Sequence, residues 1–373
     1  MRFSCEKAIL QSAVTTAGRV VSPKSTVQAL EGVLIEAEDS ILRLSAYNLK
    51  TGIITTIPAE VTESGAIVLS ARLFGEILRR MPDDMISITT TASCSVHIES
   101  GPTSFDITGI SDEDFPELPS VNDGTNLSIT QCLLRSMIGQ TIFAVSDNDS
   151  RPIHTGALFE TNGEELTMVA VDGYRLALRR EKLLSQTAPG NLSFVVPGDA
   201  LNEVERICSD CDEPVNVTQG ERHVTFETNG TILVTRRLEG EFLNYRQTIP
   251  QNNSVILEAD CADLQRSIDR ASLIINDKLK SPLRCKFEDG TVSITSKTAI
   301  GAAFDRCPIT GDGKGLEIGF NNRFLMEAVK AAPAARVRLE LNTATSPCLI
   351  LPQEGEKDNF LYMVLPVRLR AAE

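Results

Sequence analysis

Six side chains in this 373-residue chain have the types and spacing from which chemistry could be built. Asp147 and Asp149 lie in one loop and Asp172 ends an apolar run, so together they are the carboxylates a divalent cation would want. His154 stands near them as a possible general base. Cys208 and Cys211 form a Cys-x-x-Cys pair, which is half of a zinc site or a redox dithiol. None of these develops further. The chain has 3 His (His97, His154 and His223), none at a nucleophile or metal-ligand spacing, and no Gly-rich phosphate loop. No second Cys pair or spaced His supports Cys208 and Cys211, which read as two thiols at a helix end. The expectation is a chain without catalysis, without a metal and without a cofactor.

Composition limits what the chain can be. A length of 373 residues exceeds one ordinary core and points to two or three domains. With 42% hydrophobic and 23% charged residues and only 17 Pro, it is a folded chain. The 9 Cys are odd in number, and Cys5, Cys132, Cys261 and Cys285 fall at apolar positions, which suits free thiols in a reducing compartment. The opening Met1-Arg2-Phe3-Ser4-Cys5-Glu6-Lys7 has no apolar run, and no stretch reaches the roughly 18 apolar residues of a membrane helix, so a cytoplasmic location is expected. A net charge of −14 argues against nucleic acid unless the basic residues gather on one surface.

The element that must position any site is Leu166 to Arg180, an apolar strand, a turn at Asp172-Gly173, and a second strand ending in two arginines. Weaker copies begin at Ile41 and Val292, so the starts are spaced 125 and 126 residues apart. Helices recur with the same period. One follows each opening strand, with Glu6, Thr130 and Asp260 at the starts and apolar residues three and four apart on one face. A second occupies Ser70–Met81, Pro197–Cys208 and Asn321–Ala332, in which Glu76, Glu203 and Glu327 correspond, as do Arg79, Arg206 and Lys330. Short alternating runs separated by Asn-Gly and Asp-Gly turns give antiparallel sheet grammar without a βαβ rhythm. The acidic stretches Asp112–Pro119 and Glu239–Tyr245 read as exposed linkers.

The chain therefore reads as α+β, three copies of one unit with two helices and antiparallel sheets each, at 1–122, 123–252 and 253–373. The period is too long for a solenoid. Pairing head to tail with a second chain would close a six-domain ring. The six helical segments sum to +2 against −14 for the whole chain, as a helical lining facing phosphate would need. A monomeric multi-domain adaptor without a DNA role is the alternative.

With Val169-Ala170-Val171-Asp172-Gly173-Tyr174-Arg175-Leu176-Ala177, the closing Leu365-Pro366-Val367-Arg368-Leu369, Phe242-Leu243-Asn244-Tyr245-Arg246 and Phe320-Asn321 in place, the chain resembles the bacterial sliding clamps, the beta subunits of the replicative DNA polymerase III, over its full length. That resemblance implies a processivity factor. A head-to-tail homodimer would form a ring around duplex DNA, lined by helices and rimmed by sheets. It would tether the polymerase III alpha subunit, the clamp loader, other polymerases and repair proteins through short peptides, at DNA of any sequence.

Carried over position by position, the peptide pocket comprises His154, Val171, Gly173, Tyr174, Arg175 and Leu176. To these the resemblance adds Leu243, Gln247 and Thr248, and then Leu279, Asn321, Phe324, Leu365, Pro366, Val367 and Arg368. Val171, Leu243 and Gln247 stand where the family commonly has Thr, Pro and Arg, which bears on the peptide preferred. DNA contacts carry over to Lys24, Arg72, Asn148 and Arg151, and an aromatic pair common in the family is replaced by Pro152-Ile153. The dimer contact would set Phe105 and Ile107 of the first domain against Leu273 and Ile274 of the third.

Overall fold

The computed structural model describes residues 1–369 except positions 83, 122, 188, 189, 277, 280 and 358. The expected boundary at 122 thus lies outside the described residues. Among the described residues seven α-helices form: α1 Lys7–Gly18, α2 Ala71–Arg80, α3 Gln131–Gly139, α4 Gly198–Ile207, the single turn α5 Tyr245–Thr248, α6 Cys261–Ser272 and α7 Asn322–Ala331. Five match the expected segments to within a residue or two, whereas the helix expected over Thr130–Phe143 ends at Gly139. Their starts are written locally, since Ser70, Asp260 and Asn321 each accept a first-turn N–H of α2, α6 and α7. Each then buries one face, as with Leu10, Ala13, Val14 and Ala17 of α1.

The chain forms two compact units, Met1–Arg135 with Leu184–Pro189 and Asp199–Arg237, and Ser136–Leu183 with Gly190–Gly198 and Leu238–Glu373. This division differs from three domains in series, and the sheets give the reason. In the first unit, strand Thr231–Arg236 of the second repeat pairs antiparallel with Thr51–Pro58 of the first, inside one nine-stranded sheet. Two buried threonine pairs tie that seam, Thr51 to Thr235 at 3.1 Å and Thr55 to Thr231 at 2.9 Å. In the second unit, Phe360–Val364 of the third repeat pairs with Arg175–Lys182 of the second, inside a ten-stranded sheet. The closing strand of one repeat thus completes the hairpin of the repeat before it. Each docking covers a strand edge that would otherwise be open.

Two edges keep no such partner among the described residues. Strand Thr103–Thr108, which closes the first repeat, is the last in its five-stranded sheet. Strand Gly301–Phe320, the hairpin strand of the third repeat, pairs over Gly301–Pro308 only with Leu283–Thr298. Within Leu283–Thr298 the expected Asp289-Gly290 turn is instead a break in register, with Gly290 at φ 67°.

The acidic stretches are exposed at their charged residues, as their composition suggests, but each is anchored by a buried aromatic. Phe115 is buried against Leu30, Tyr47 and Val68, and Leu118 packs so near Gly52 that an added Cβ would meet it at 2.7 Å. Tyr245 is 3% exposed in the core of the second unit, its hydroxyl donating to Glu160 at 2.7 Å. The carboxylates stay in water while the interleaved apolar residues are buried, and charge count alone does not reveal that division.

Candidate functional site

The centre of the second unit's site is Arg175, whose side chain is 5% exposed. The hairpin loop consists of Gly173 and Tyr174, one position later than the sequence suggests, closed by the N–H of Asp172 donating to the carbonyl of Arg175 at 3.3 Å. Asp172 organises it. One carboxylate oxygen accepts the N–H groups of Tyr174 and Arg175 at 2.9 and 3.0 Å, and the other accepts Arg175 Nε at 2.8 Å. Arg175 Nη1 donates to Glu327 of α7. The guanidinium lies 4.4 Å from the ring centre of Phe324 and 5.4 Å from that of Phe143. A guanidinium taken out of water needs such partners on every side, so these contacts fix the loop against α7.

Around this centre the structure places Tyr174, Asn321, Phe324, Leu365 and Val367 from the expected pocket. Asn321 Oδ1 accepts the N–H groups of Arg323 and Phe324, setting the first turn of α7, and the Phe324 ring stacks on Tyr174 at 6.0 Å. The N–H of Leu365 donates to the carbonyl of Tyr174 at 2.8 Å, and that of Val367 to Gly319 at 2.7 Å. An added Cβ on Gly319 would meet the Val367 carbonyl at 2.7 Å, so only glycine lets the closing segment lie this near. Beside Asn321 and Val367 runs a groove of about 780 Å³, also lined by Ile275, Pro282 and Met326. Leu279 is half-buried in the turn held by Asn276, while Arg368 is exposed and Pro366 half-buried.

Val171 and Leu176 are 2% and 1% exposed and sit in the core with Met363 and Tyr245, on which Leu365, Ile153 and Phe242 pack. They form a floor rather than an open wall. His154 sets its ring edge against Phe242 at 5.5 Å, and burial, with the nearby Arg151, pushes its pKa down. Leu243, Gln247 and Thr248 are exposed, and Thr248 Oγ1 donates to the carbonyl of Tyr245 at 2.7 Å. Phe143, Phe242, Met363 and Glu327 went unread in this role. Glu327 looked like a helix-surface acid paired with Lys330, and nothing in its own segment points to a residue 152 positions earlier. Gly173 holds φ 88° with open space around it, so Gly173→Ala strains backbone alone. The expected cost is about 1 kcal/mol, read from the denaturation midpoint.

The other expected residues lie elsewhere. Lys24, Arg72, Asn148 and Arg151 are all exposed, and Asn148 Oδ1 is engaged by the N–H of Ser150 at 2.9 Å. Phe105 is 37% exposed on the open strand Thr103–Thr108, beside half-buried Ile107, and Leu273 is 78% exposed just past α6, beside half-buried Ile274. The early chemical candidates are otherwise employed. Asp172 serves Arg175, and Asp147 and Asp149 are exposed. Cys208 is buried just past α4, its thiol pushed up to about 12 by desolvation, with Cys211 half-buried and free. Among the described residues no group of three His, Cys, Asp or Glu is placed to hold a metal ion.

Known proteins match the whole chain. The models of the DNA polymerase III beta subunit match in sequence, the N-terminal domain over residues 1–119, the central domain over 128–244 and the C-terminal domain over 246–368. A beta sliding clamp of Staphylococcus epidermidis is 27% identical, with 99% of each chain covered. The DNA polymerase sliding clamp of Bacillus subtilis superposes with a TM-score of 0.92 at 28% identity, over 99% of this chain and 100% of that one. The DNA polymerase III beta subunit of Thermotoga maritima gives 0.90 at 26%, with the same coverage. With three tandem clamp repeats in the fold and matches from end to end, this chain belongs to the family of DNA polymerase III beta subunits, the bacterial sliding clamps.

Proposed function

We propose that the chain is a DNA polymerase processivity factor that works as a closed head-to-tail dimer around duplex DNA. The observation that carries this reading is the pair of open edges. Every other repeat junction is sealed by a closing strand on the preceding hairpin. Among the described residues, the closing strand of the first repeat and part of the hairpin strand of the third have no such partner from another repeat. A second copy supplies what each lacks, and two such junctions close a ring. Phe105 and Ile107 then meet Leu273 and Ile274. Domain limits of 1–122, 123–252 and 253–373 are supported by the spans of the three family matches. A monomeric adaptor leaves both edges without a purpose.

The work is mechanical, with no chemical step. A ring that slides touches phosphate sparsely and reads no base edges, which suits contacts from Lys24, Arg72, Asn148 and Arg151. Tethering raises the effective concentration of a polymerase at its template without a tight DNA bond. Partners such as the polymerase III alpha subunit and the clamp loader dock a peptide with apolar anchors beside Tyr174, Phe324, Leu365 and Val367. The setting is the cytoplasm, and among the described residues no helix is long and apolar enough to cross a membrane.

The test is retention on DNA. Loaded clamp should stay on a closed circle through a high-salt wash and leave once the circle is cut. Equal loss from circle and line would rule out encirclement. For the pocket, Leu365→Ala with Val367→Ala should weaken a clamp-binding peptide by about 2 kcal/mol, roughly thirty-fold in Kd. Fluorescence polarisation reads it, and an unchanged Kd places the peptide elsewhere.

A further inference from the structure

The helices carry more arginine than they offer to a ligand. Glu76 of α2 holds Arg79 at 2.7 Å and Arg80 at 3.0 Å, and Glu203 of α4 holds Arg206 at 2.6 Å. Asp263 of α6 likewise pairs with Arg266. Each acid lies three residues before its arginine, and Glu76 four before Arg80 as well, on the same helix face. The second helix of the third repeat, α7, breaks the pattern. Glu327 corresponds to Glu76 and Glu203, yet its carboxylate is drawn to Arg175, and its second oxygen lies 3.9 Å from Arg323. Lys330, at the position of Arg79 and Arg206, is left exposed, with no hydrogen bond or ion pair among the described residues. Arg72 of α2 and Arg135 of α3 are exposed and unpaired in the same sense.

We propose that the helices touch DNA phosphate through Arg72, Arg135 and Lys330, one in each third of the chain, while Arg79, Arg206 and Arg266 are silenced by their own carboxylates. The inference rests on the clamp reading. It adds Arg135 and Lys330 to the contact set and gives Glu76, Glu203 and Asp263 a role. A paired guanidinium reaches phosphate only by exchanging one anion for another, and the released carboxylate then faces the phosphate at close range. Such a pair is near neutral and displaces few counterions from the duplex. An unpaired cation displaces its full share. Three open helix cations per chain beside Lys24 and Arg151, in a protein of net charge −14, give a grip loose enough to slide. Diversion of Glu327 to Arg175 means that the residue fixing the pocket is also the one that leaves Lys330 open.

The experiment measures binding of a short fluorescein-labelled linear duplex to the intact dimer across a series of salt concentrations. Arg135→Ala and Lys330→Ala should each lower the slope of log affinity against log salt by roughly 0.9. Arg79→Ala and Arg206→Ala should leave it at the wild-type value. Glu76→Gln, which frees Arg79 and Arg80, should tighten binding and steepen the slope. The proposal is overturned if Arg79→Ala and Arg206→Ala flatten the slope as much as Lys330→Ala does, or if Arg135→Ala and Lys330→Ala both leave it unchanged. Retention of the wild type on a nicked circle separates the two levels. Retention with the wrong pattern of slopes rejects the contact set alone, and loss of retention rejects the clamp reading with it.

Discussion

Arg175→Ala should destabilise the second unit by about 3 kcal/mol, the lower end of what breaking a buried ion pair costs. The lower end applies because one orphaned partner is partly wet. Glu327 is 35% exposed and is screened by water, whereas Asp172 is 11% exposed but keeps two backbone N–H donors. The substitution also removes the cation between the Phe143 and Phe324 rings, so the turn bearing Tyr174 loses its anchor on α7. For a unit of this size the expected fall in its thermal midpoint is roughly 6–12 °C. Two-state analysis does not suit a chain with two units, so the readout is hydrogen exchange on Arg175–Lys182 and Phe360–Val364, followed with temperature. Arg175→Lys should recover less than half of the loss, because an ammonium has no planar fork to serve Asp172 and Glu327 together. Protection and peptide affinity both at the wild-type level would show that Arg175 does not organise the site.

Leu273→Asp should split the dimer while leaving the monomer folded. Leu273 is 78% exposed just past α6, so the substitution costs the isolated chain little. In the proposed head-to-tail pair the same side chain would be covered by the partner's first repeat, and an aspartate there would be a buried charge without a counterion. A penalty of about 3–4 kcal/mol raises the dimer Kd by roughly a hundred- to a thousand-fold. Sedimentation velocity at a protein concentration where the wild type is dimeric reads this directly, with circular dichroism as the check on folding. Leu273→Ala, which loses only apolar area, should shift the equilibrium far less. A Leu273→Asp protein that still sediments as a dimer would move the interface away from this edge.

Much of the architecture is local and therefore legible in order of residues. The helices announce themselves because a capping side chain and an apolar stripe are fixed by neighbours three and four positions away, as at Asp260 and α6. The Leu166–Arg180 hairpin and its copies are legible for the same reason, and their spacing reveals the repeat. The candidate site around Arg175 was partly legible, since Gly173, Tyr174, Arg175 and Asn321 fall in motifs whose types are constrained by a turn or a cap.

What only the tertiary structure decided is every choice among equivalent partners. Three repeats offer three similar Glu-x-x-basic pairs, and nothing in the helix sequences says that Glu327 abandons Lys330 for Arg175. Strand order is likewise open to a reader of the sequence, because a closing strand could pair within its own repeat. Packing sends Thr231–Arg236 and Phe360–Val364 to the repeat before. Phe115 and Tyr245 are buried although they sit in acidic stretches, because sheets distant in the chain present apolar surface to them. Local periodicity specifies what each segment is. Which segments meet depends on edges and charges left unsatisfied elsewhere in the fold.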